Sequence, residues 1–309
     1  MRILLLVHSS TGNTRLVARF AARHLEARGH EVLFAGMGPE PPPDPLGFEL
    51  VGVAGPTMYF RPMAAVEAWL ERLPERPNDP RPAFLLATCA GEPGAHFELQ
   101  ARQLARKGLR VVGAHWVPMP SNWPPHRVLS RKLEPALPLG RLLSSGPLRP
   151  LRVGWGLLWT EVTEPDARDR RELEAFLDAL PERARSAAAT PERLYRPWLP
   201  GAAALGRAIG LREMRKATGV RIDEAACRRC GTCVRACPSG CLTRPDPELP
   251  PVIGDGCTGC WACYNRCPHE AIAGWASPPG LGRYRGPGAS TRRLFGAGDR
   301  DHGCEPPAA

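Results

Sequence analysis

Eight cysteines fall into two runs of identical spelling, Cys227-x-x-Cys230-x-x-Cys233-x-x-x-Cys237-Pro238 and Cys257-x-x-Cys260-x-x-Cys263-x-x-x-Cys267-Pro268. Three thiols two residues apart let one tight loop wrap a polynuclear cluster, with its backbone N–H groups turned toward the inorganic sulfides. The fourth thiol stands one residue further out, where the proline stiffens a turn. That chemistry is iron–sulfur. Disulfides would need an oxidising compartment, and nothing here resembles an export signal. Zinc takes four ligands per site, which Cys-x-x-Cys pairs can supply, but a doubled four-cysteine run with a proline after each is far more specific for iron–sulfur. Cys89, Cys241 and Cys304 stand outside the pattern, and Cys304 reads as a free thiol.

A second chemistry is written near the N-terminus. Ser9-Ser10-Thr11-Gly12-Asn13-Thr14 follows an apolar run and precedes a helical pattern. Hydroxyls, one glycine and a helix start make a cradle for a terminal phosphate, with neutral O–H and N–H donors because no Lys or Arg lies in the loop. Neither Gly-x-x-x-x-Gly-Lys nor Gly-x-Gly-x-x-Gly is present, which argues against ATP and NAD in this loop. The plain alternative is a Ser/Thr-rich helix cap. Two later loops suit a planar ring. Gly55-Pro56-Thr57-Met58-Tyr59-Phe60 offers aromatics for stacking, and Thr88-Cys89-Ala90-Gly91-Glu92-Pro93-Gly94 offers glycines that let backbone approach a ring edge. Tyr59 also suits core packing, and Cys89 is better read as a small buried hydrophobe.

Five apolar runs position these loops: Arg2–His8, His30–Ala35, Phe48–Ala54, Pro82–Thr88 and Leu109–Val117. Between and after them, helical spacing covers Arg15–Arg28, Pro62–Leu73, Glu98–Lys107 and Pro165–Arg185, the last interrupted at Pro181. This alternation predicts an α/β fold with a doubly wound, parallel, five-stranded sheet, whose ligands bind at the carboxyl ends of the strands. Residues 126–164 read as an insertion of undetermined structure, with Trp155 and Trp159 expected against the core. Ala202–Lys216 reads as a bridging helix, and Val220–Asp223 as a short strand pairing locally beside the first cysteine loop. After the second run, Ser277–Ala309 is rich in Gly, Pro and Arg and is expected to be poorly ordered or draped over the surface.

The 309 residues allow two domains and an ample core. Of the net charge of +10, the largest share (+6) lies in residues 121–220, while residues 221–276 balance to zero. Alternating signs along Asp166–Arg185 read as a solvated helix face, and no stacking platform accompanies the arginines, so nucleic acid is not an expected partner. No apolar stretch is long enough to span a bilayer, and Ile3–Val7 is strand-length with no cleavage site after it.

Ser9-x-Thr11-Gly12-Asn13-Thr14 resembles the FMN phosphate loop of flavodoxins, and residues 218–276 resemble a bacterial-type ferredoxin with two [4Fe-4S] clusters. Together the chain resembles flavodoxin–ferredoxin fusion proteins. The resemblance implies a flavodoxin-like domain over 1–180 with an insertion at about 118–164, a helical linker over 181–217, a small α+β ferredoxin-like domain over 218–276, and the tail. It implies that one cluster takes Cys227, Cys230, Cys233 and Cys267, and the other Cys257, Cys260, Cys263 and Cys237. It implies FMN contacts from Ser9, Ser10, Thr11, Gly12, Asn13 and Thr14, from Pro56, Thr57, Met58, Tyr59 and Phe60, and from Thr88, Cys89, Ala90, Gly91 and Gly94. Met119-Pro120-Ser121-Asn122-Trp123 is similar to a run in such fusions and adds Asn122 and Trp123. Flavodoxins surround the ring with acids. Here Glu92 is the only acid in the two ring loops and Arg61 adjoins them, which argues against a very low flavin potential. The implied function is cytoplasmic electron relay between the clusters, the FMN and redox partner proteins, with no acid–base residue. The alternative is a flavin-dependent oxidoreductase acting on a quinone or other small acceptor.

Overall fold

A computed structural model describes residues 1–297 apart from 39, 77, 144, 146, 149–151, 187–193, 200, 210–218, 275–276 and 278–279. Strands β1 (Arg2–Val7), β2 (Glu31–Gly36), β3 (Leu50–Met58), β5 (Arg81–Cys89) and β6 (Leu109–Pro118) pair in parallel in the order β2-β1-β3-β5-β6. A two-residue strand, β4 (Arg61–Pro62), folds back antiparallel onto β3. Among the parallel strands this is the flavodoxin-like 2-1-3-4-5 order, whose switch point lies between β1 and β3. The pleat divides the core. Leu4, Leu6, Val51, Val53 and Leu85 face one side, while Ile3, Leu5, Val7, Leu50 and Leu86 face the other.

Helices α1 (Asn13–Glu26) and α7 (Ala167–Arg185) cover the second face through Val17, Phe20, Leu25, Leu173, Phe176, Leu177 and Leu180. Helices α2 (Ala64–Leu70) and α3 (His96–Arg106) cover the first. The insertion is helical: α4 (Pro124–Lys132), α5 (Leu137–Leu143) and α6 (Arg152–Trp155). Trp159 anchors it, buried and donating from its indole to the Leu133 carbonyl at 2.8 Å. A further helix, α8 (Ala202–Ala208), covers the first half of the expected bridge, and the rest of that expectation lies outside the described residues.

The cysteine-rich segment is two similar halves. In one, β7 (Arg221–Ile222), α9 (Thr232–Arg235) and β8 (Leu242–Thr243) follow in order. In the other come β9 (Val252–Ile253), α10 (Ala262–Arg266) and β10 (Ile272–Ala273). β8 pairs with β9, and β7 pairs with β10. The expected local pairing of Val220–Asp223 is therefore corrected: the first strand closes on the last, which ties both halves into one unit.

Two other expectations need correction. α7 runs unbroken through Pro181. A proline in a helix interior removes one amide and crowds the carbonyl four residues back, at a cost of about 3 kcal/mol. Here the buried Leu177, Leu180 and Ala184 hold the last turns on the sheet, and an Asp166/Asp169 capping box fixes the start. The described part of the tail, 280–297, is packed rather than loose. It contains α11 (Ala289–Leu294) and the fully buried Phe295, whose ring meets Phe20 edge-on at 5.3 Å. A few well-placed apolar side chains suffice to dock a stretch of low mean hydropathy. Cys304 lies outside the described residues.

Candidate functional site

The carboxyl ends of β1, β3, β5 and β6 enclose a cleft of about 440 Å³. Its floor is Ser9, Ser10, Thr11, Asn13 and Thr14, and its walls are Pro56, Thr57 and Met58, then Thr88, Cys89 and Ala90, then Met119, Pro120, Ser121 and Asn122. Gly12 caps α1 at φ 99°, a conformation that favours glycine, and no side chain caps the helix. The first-turn amides thus keep hydrogen-bonding capacity for an anion. The Gly12 amide donates to Ser9 Oγ at 3.1 Å and closes the loop. The Thr14 and Thr88 hydroxyls share a hydrogen bond at 2.7 Å, which fixes the floor to the end of β5.

Cations come from outside the loop. His8, buried beneath it, has its pKa lowered to about 4, first by burial and then by the charges of Arg266 and Arg15. Arg266 ends α10, far away in sequence, so no local pattern could have found it; Arg15 stands in the first turn of α1. Ser121, Met119 and Pro120 also belong to the cleft, and the run that contains them is the signal that was legible for them.

Other expected residues are placed elsewhere. Tyr59 and Phe60 form the two-residue turn joining β3 to β4, with φ of 54° and 62°. Both lie outside the cleft lining, as do Gly91, Gly94 and Trp123. Tyr59 meets Trp123 edge-on at 5.2 Å. Its hydroxyl is buried near the indoles of Trp123 and Trp261 without a hydrogen bond of normal geometry, and burial pushes its pKa up to about 12. The Phe60 carbonyl accepts from the Ala95 amide at 2.8 Å, and its Cβ would crowd any side chain at Gly94, where φ is +62°. Glu92 is buried and accepts from the amides of Gly94, Trp198 and Leu199 at 3.1, 2.9 and 3.1 Å. Arg61 is paired with Glu67 at 2.9 Å. Thr57 is held by His96 at 2.9 Å, and His96 by Gln100 at 3.0 Å. Burial pushes the Cys89 thiol pKa up, so it stays a neutral group in the wall.

The cleft suits a flavin: a helix start and hydroxyls at one end, and Pro56, Met58, Met119 and Pro120 as apolar walls.

The thiols group across the two halves. Cys227, Cys230, Cys233 and Cys267 line one pocket of about 330 Å³. Cys237, Cys257, Cys260 and Cys263 line a second of about 350 Å³, together with Cys241 and Trp261. Among the described residues no three His, Cys, Asp or Glu side chains close around a single point as one metal ion requires. Thiols distributed around a pocket wall, with the loop residues Gly231 and Gly259 at positive φ, fit a polynuclear cluster. Cys241 lies 3.4 Å from Cys237, sulfur to sulfur, and it holds the Cys257 thiol pKa below its usual value.

The flavin-sized cleft and the second thiol pocket share a wall. Asn122, which lines the cleft, donates from Nδ2 to the Cys260 carbonyl at 3.4 Å, and its carbonyl accepts from Asn265 Nδ2 at 3.1 Å. The Ser10 hydroxyl, on the cleft floor, stands close enough to Cys260 to pull its thiol pKa down against the burial that raises it to about 11. Trp261, fully buried, reaches from the second thiol pocket into the core beneath the sheet, and it meets Tyr264 edge-on at 5.5 Å.

Residues 219–269 match the family model of the 4Fe-4S dicluster domain. A comparison with curated proteins finds no match. Among solved structures, a flavodoxin from the domain Archaea is 17% identical, with a TM-score of 0.31, covering 36% of this chain and 78% of its own. Two-electron reduced flavodoxin of Megasphaera elsdenii is 18% identical, with a TM-score of 0.34, covering 38% and 85%. A putative quinone reductase from Klebsiella pneumoniae is 17% identical, with a TM-score of 0.29, covering 38% and 74%. Scores of this size leave the fold to be read from the strand order itself. The chain joins a flavodoxin-like sheet to a segment similar to dicluster ferredoxins. Among the described residues no helix is long and apolar enough to cross a membrane.

Proposed function

We propose that the protein is an electron carrier that relays single electrons between two [4Fe-4S] clusters and a bound FMN, and through them between redox partner proteins. The observation that carries this reading is the wall that Asn122 and Ser10 share between the flavin-sized cleft and Cys260. The flavin, when bound, allows exchange between one-electron and two-electron chemistry. The chain's own residues hold and insulate. Cys227, Cys230, Cys233 and Cys267 ligate one cluster, and Cys237, Cys257, Cys260 and Cys263 the other. The first turn of α1 and the hydroxyls of Ser9, Ser10 and Thr11 bind the phosphate. Pro56, Met58 and Met119 exclude water from the ring, and Trp261 shields the second cluster. No side chain need move a proton for such a relay.

The test is anaerobic purification or reconstitution followed by absorbance spectroscopy and metal analysis. One FMN and about eight irons per chain are expected, and sub-stoichiometric dithionite should bleach the flavin and cluster bands together. No retained flavin, or a flavin that stays oxidised while the clusters bleach, would sink the reading.

A second reading, a flavin-dependent oxidoreductase with a small planar acceptor such as a quinone, has one observation in its favour. A cavity of about 900 Å³ walled by Phe97, Trp116, His115 and Tyr195 includes Ala90, which also lines the cleft. Multiple turnovers of a soluble quinone by the reduced protein would favour it over the carrier.

A further inference from the structure

The two thiol pockets are not equally shielded. In the second, Cys260 and Cys263 are buried and the other thiols half-buried, and its outer wall adjoins the flavin-sized cleft. In the first, Cys233 and Cys267 are buried, but Cys230 is exposed. Of the eight thiols in the two pockets, Cys230 is the exposed one.

That thiol is ringed by arginine. Arg228 and Arg229 line the first pocket beside Cys230 and are exposed. Arg235 donates to the Cys230 carbonyl at 3.3 Å and to the Thr232 hydroxyl at 3.4 Å. Arg244 donates to the Arg229 carbonyl. A Cβ at Gly231 would stand 3.0 Å from Arg235 Nη1 and 4.0 Å from Arg244 Nη1, so both guanidinium groups converge on this loop. Among the described residues none of these four arginines pairs with a carboxylate. The neighbouring acids lie off the pocket lining: Asp223 accepts from the amides of Ala225 and Ala226, Asp246 accepts from the Glu248 amide at 2.8 Å, Glu270 faces Arg283 at 3.7 Å, and Glu224 and Glu248 are exposed. The zero net charge of this segment thus hides a one-sided arrangement, positive where a thiol reaches the surface.

We propose that the loop Arg228–Gly231 is the port for electron exchange with the outside, and that it docks a redox protein whose contact face is acidic. Unpaired guanidinium groups around an exposed redox edge steer an anionic partner and fix its orientation, and they disfavour a cationic one. The inference rests on the electron-relay reading.

The test uses the full-length holoprotein, reduced with dithionite and freed of excess reductant. Each ferricyanide takes one electron from the reduced protein, iron(III) becoming iron(II), and no proton moves. At about 10 mM ionic strength, R228E/R229E should slow this reaction about tenfold, and the difference should vanish near 0.5 M salt, where the Debye length is only a few ångströms. Hexaammineruthenium(III), a cation, should respond in the opposite direction. The control is R171E/R293E, which makes the same charge change at two exposed arginines on the far side of the sheet; it should alter the rate less than about twofold. Poly-L-glutamate, a macromolecular polyanion, should inhibit the wild type and the control but not R228E/R229E. R228Q/R229Q serves if charge reversal lowers the iron content. Equal effects of the two pairs, or none from the first, would overturn the port while flavin and iron content remain normal. Loss of flavin or clusters from the wild type would instead overturn the relay reading.

Discussion

Asn13 is engaged by the protein at both ends of its side-chain amide. Its Nδ2 donates to the Pro120 carbonyl at 3.0 Å, and its Oδ1 accepts from the Tyr284 hydroxyl at 2.7 Å. It is a tie between the β1–α1 loop, the end of β6 and the tail, a role that its place in a hydroxyl-rich run does not disclose. The grouping of the cysteines into two pockets was legible because their spacing is local. Arg266, which bears on His8, was not, because the sequence carries no sign of a contact across some 250 residues. Cys241 is the test of the ligand sets. Cys241→Ala should leave about eight irons per chain, and a large loss of iron would show that it ligates. Two buried histidines and the half-buried His115 set a pH limit: His8 and His115 have pKa values lowered to about 4, and His96 to about 3, all chiefly by desolvation. Unfolded, each binds a proton near 6.5, so folding is favoured above that pH and progressively disfavoured as pH falls from 6.5 toward 4. Thermal melts across this window should show a falling Tm, and His115→Phe should flatten the fall.

At the scale of elements, the strands and helices of the sheet were legible from alternation, with boundaries moved by at most four residues. Tyr59 and Phe60 were harder. They read as ring-stacking aromatics, yet they occupy a two-residue hairpin turn with both φ positive, which is strained for aromatic residues. Phe60→Gly, which leaves the Tyr59–Trp123 contact in place, should raise stability by about 1 kcal/mol in a denaturant titration. The tail misled because composition averages over a few decisive side chains. Phe295 is wholly buried against Phe20, and Leu281 is nearly so. Phe295→Ala should cost about 3–5 kcal/mol; a change below about 1 kcal/mol would mean that the tail is not docked in solution. Pro181 inside α7 shows the opposite balance, a local breaker overruled by burial on both sides of it.

Across the whole molecule, one apolar cluster runs from Leu4, Val53 and Leu85 in the sheet to Trp261, Tyr264 and Ile272 in the cysteine-rich segment. The two parts that sequence divides into separate domains thus share a core, and a chain cut before residue 218 would bare a face made to be covered. Such a fragment should bind a hydrophobic dye and self-associate, whereas the full chain should not. Sequence could not reveal this, because each half carries a complete motif of its own. The tie between Asn13 and Tyr284 spans 271 positions. A ribosome adding 5–20 residues each second needs roughly 15–55 s to cross that distance. For that interval the nascent hydroxyl-rich loop is already made and its latch does not yet exist. The floor of the cleft is thereby made well before the segment that fastens it.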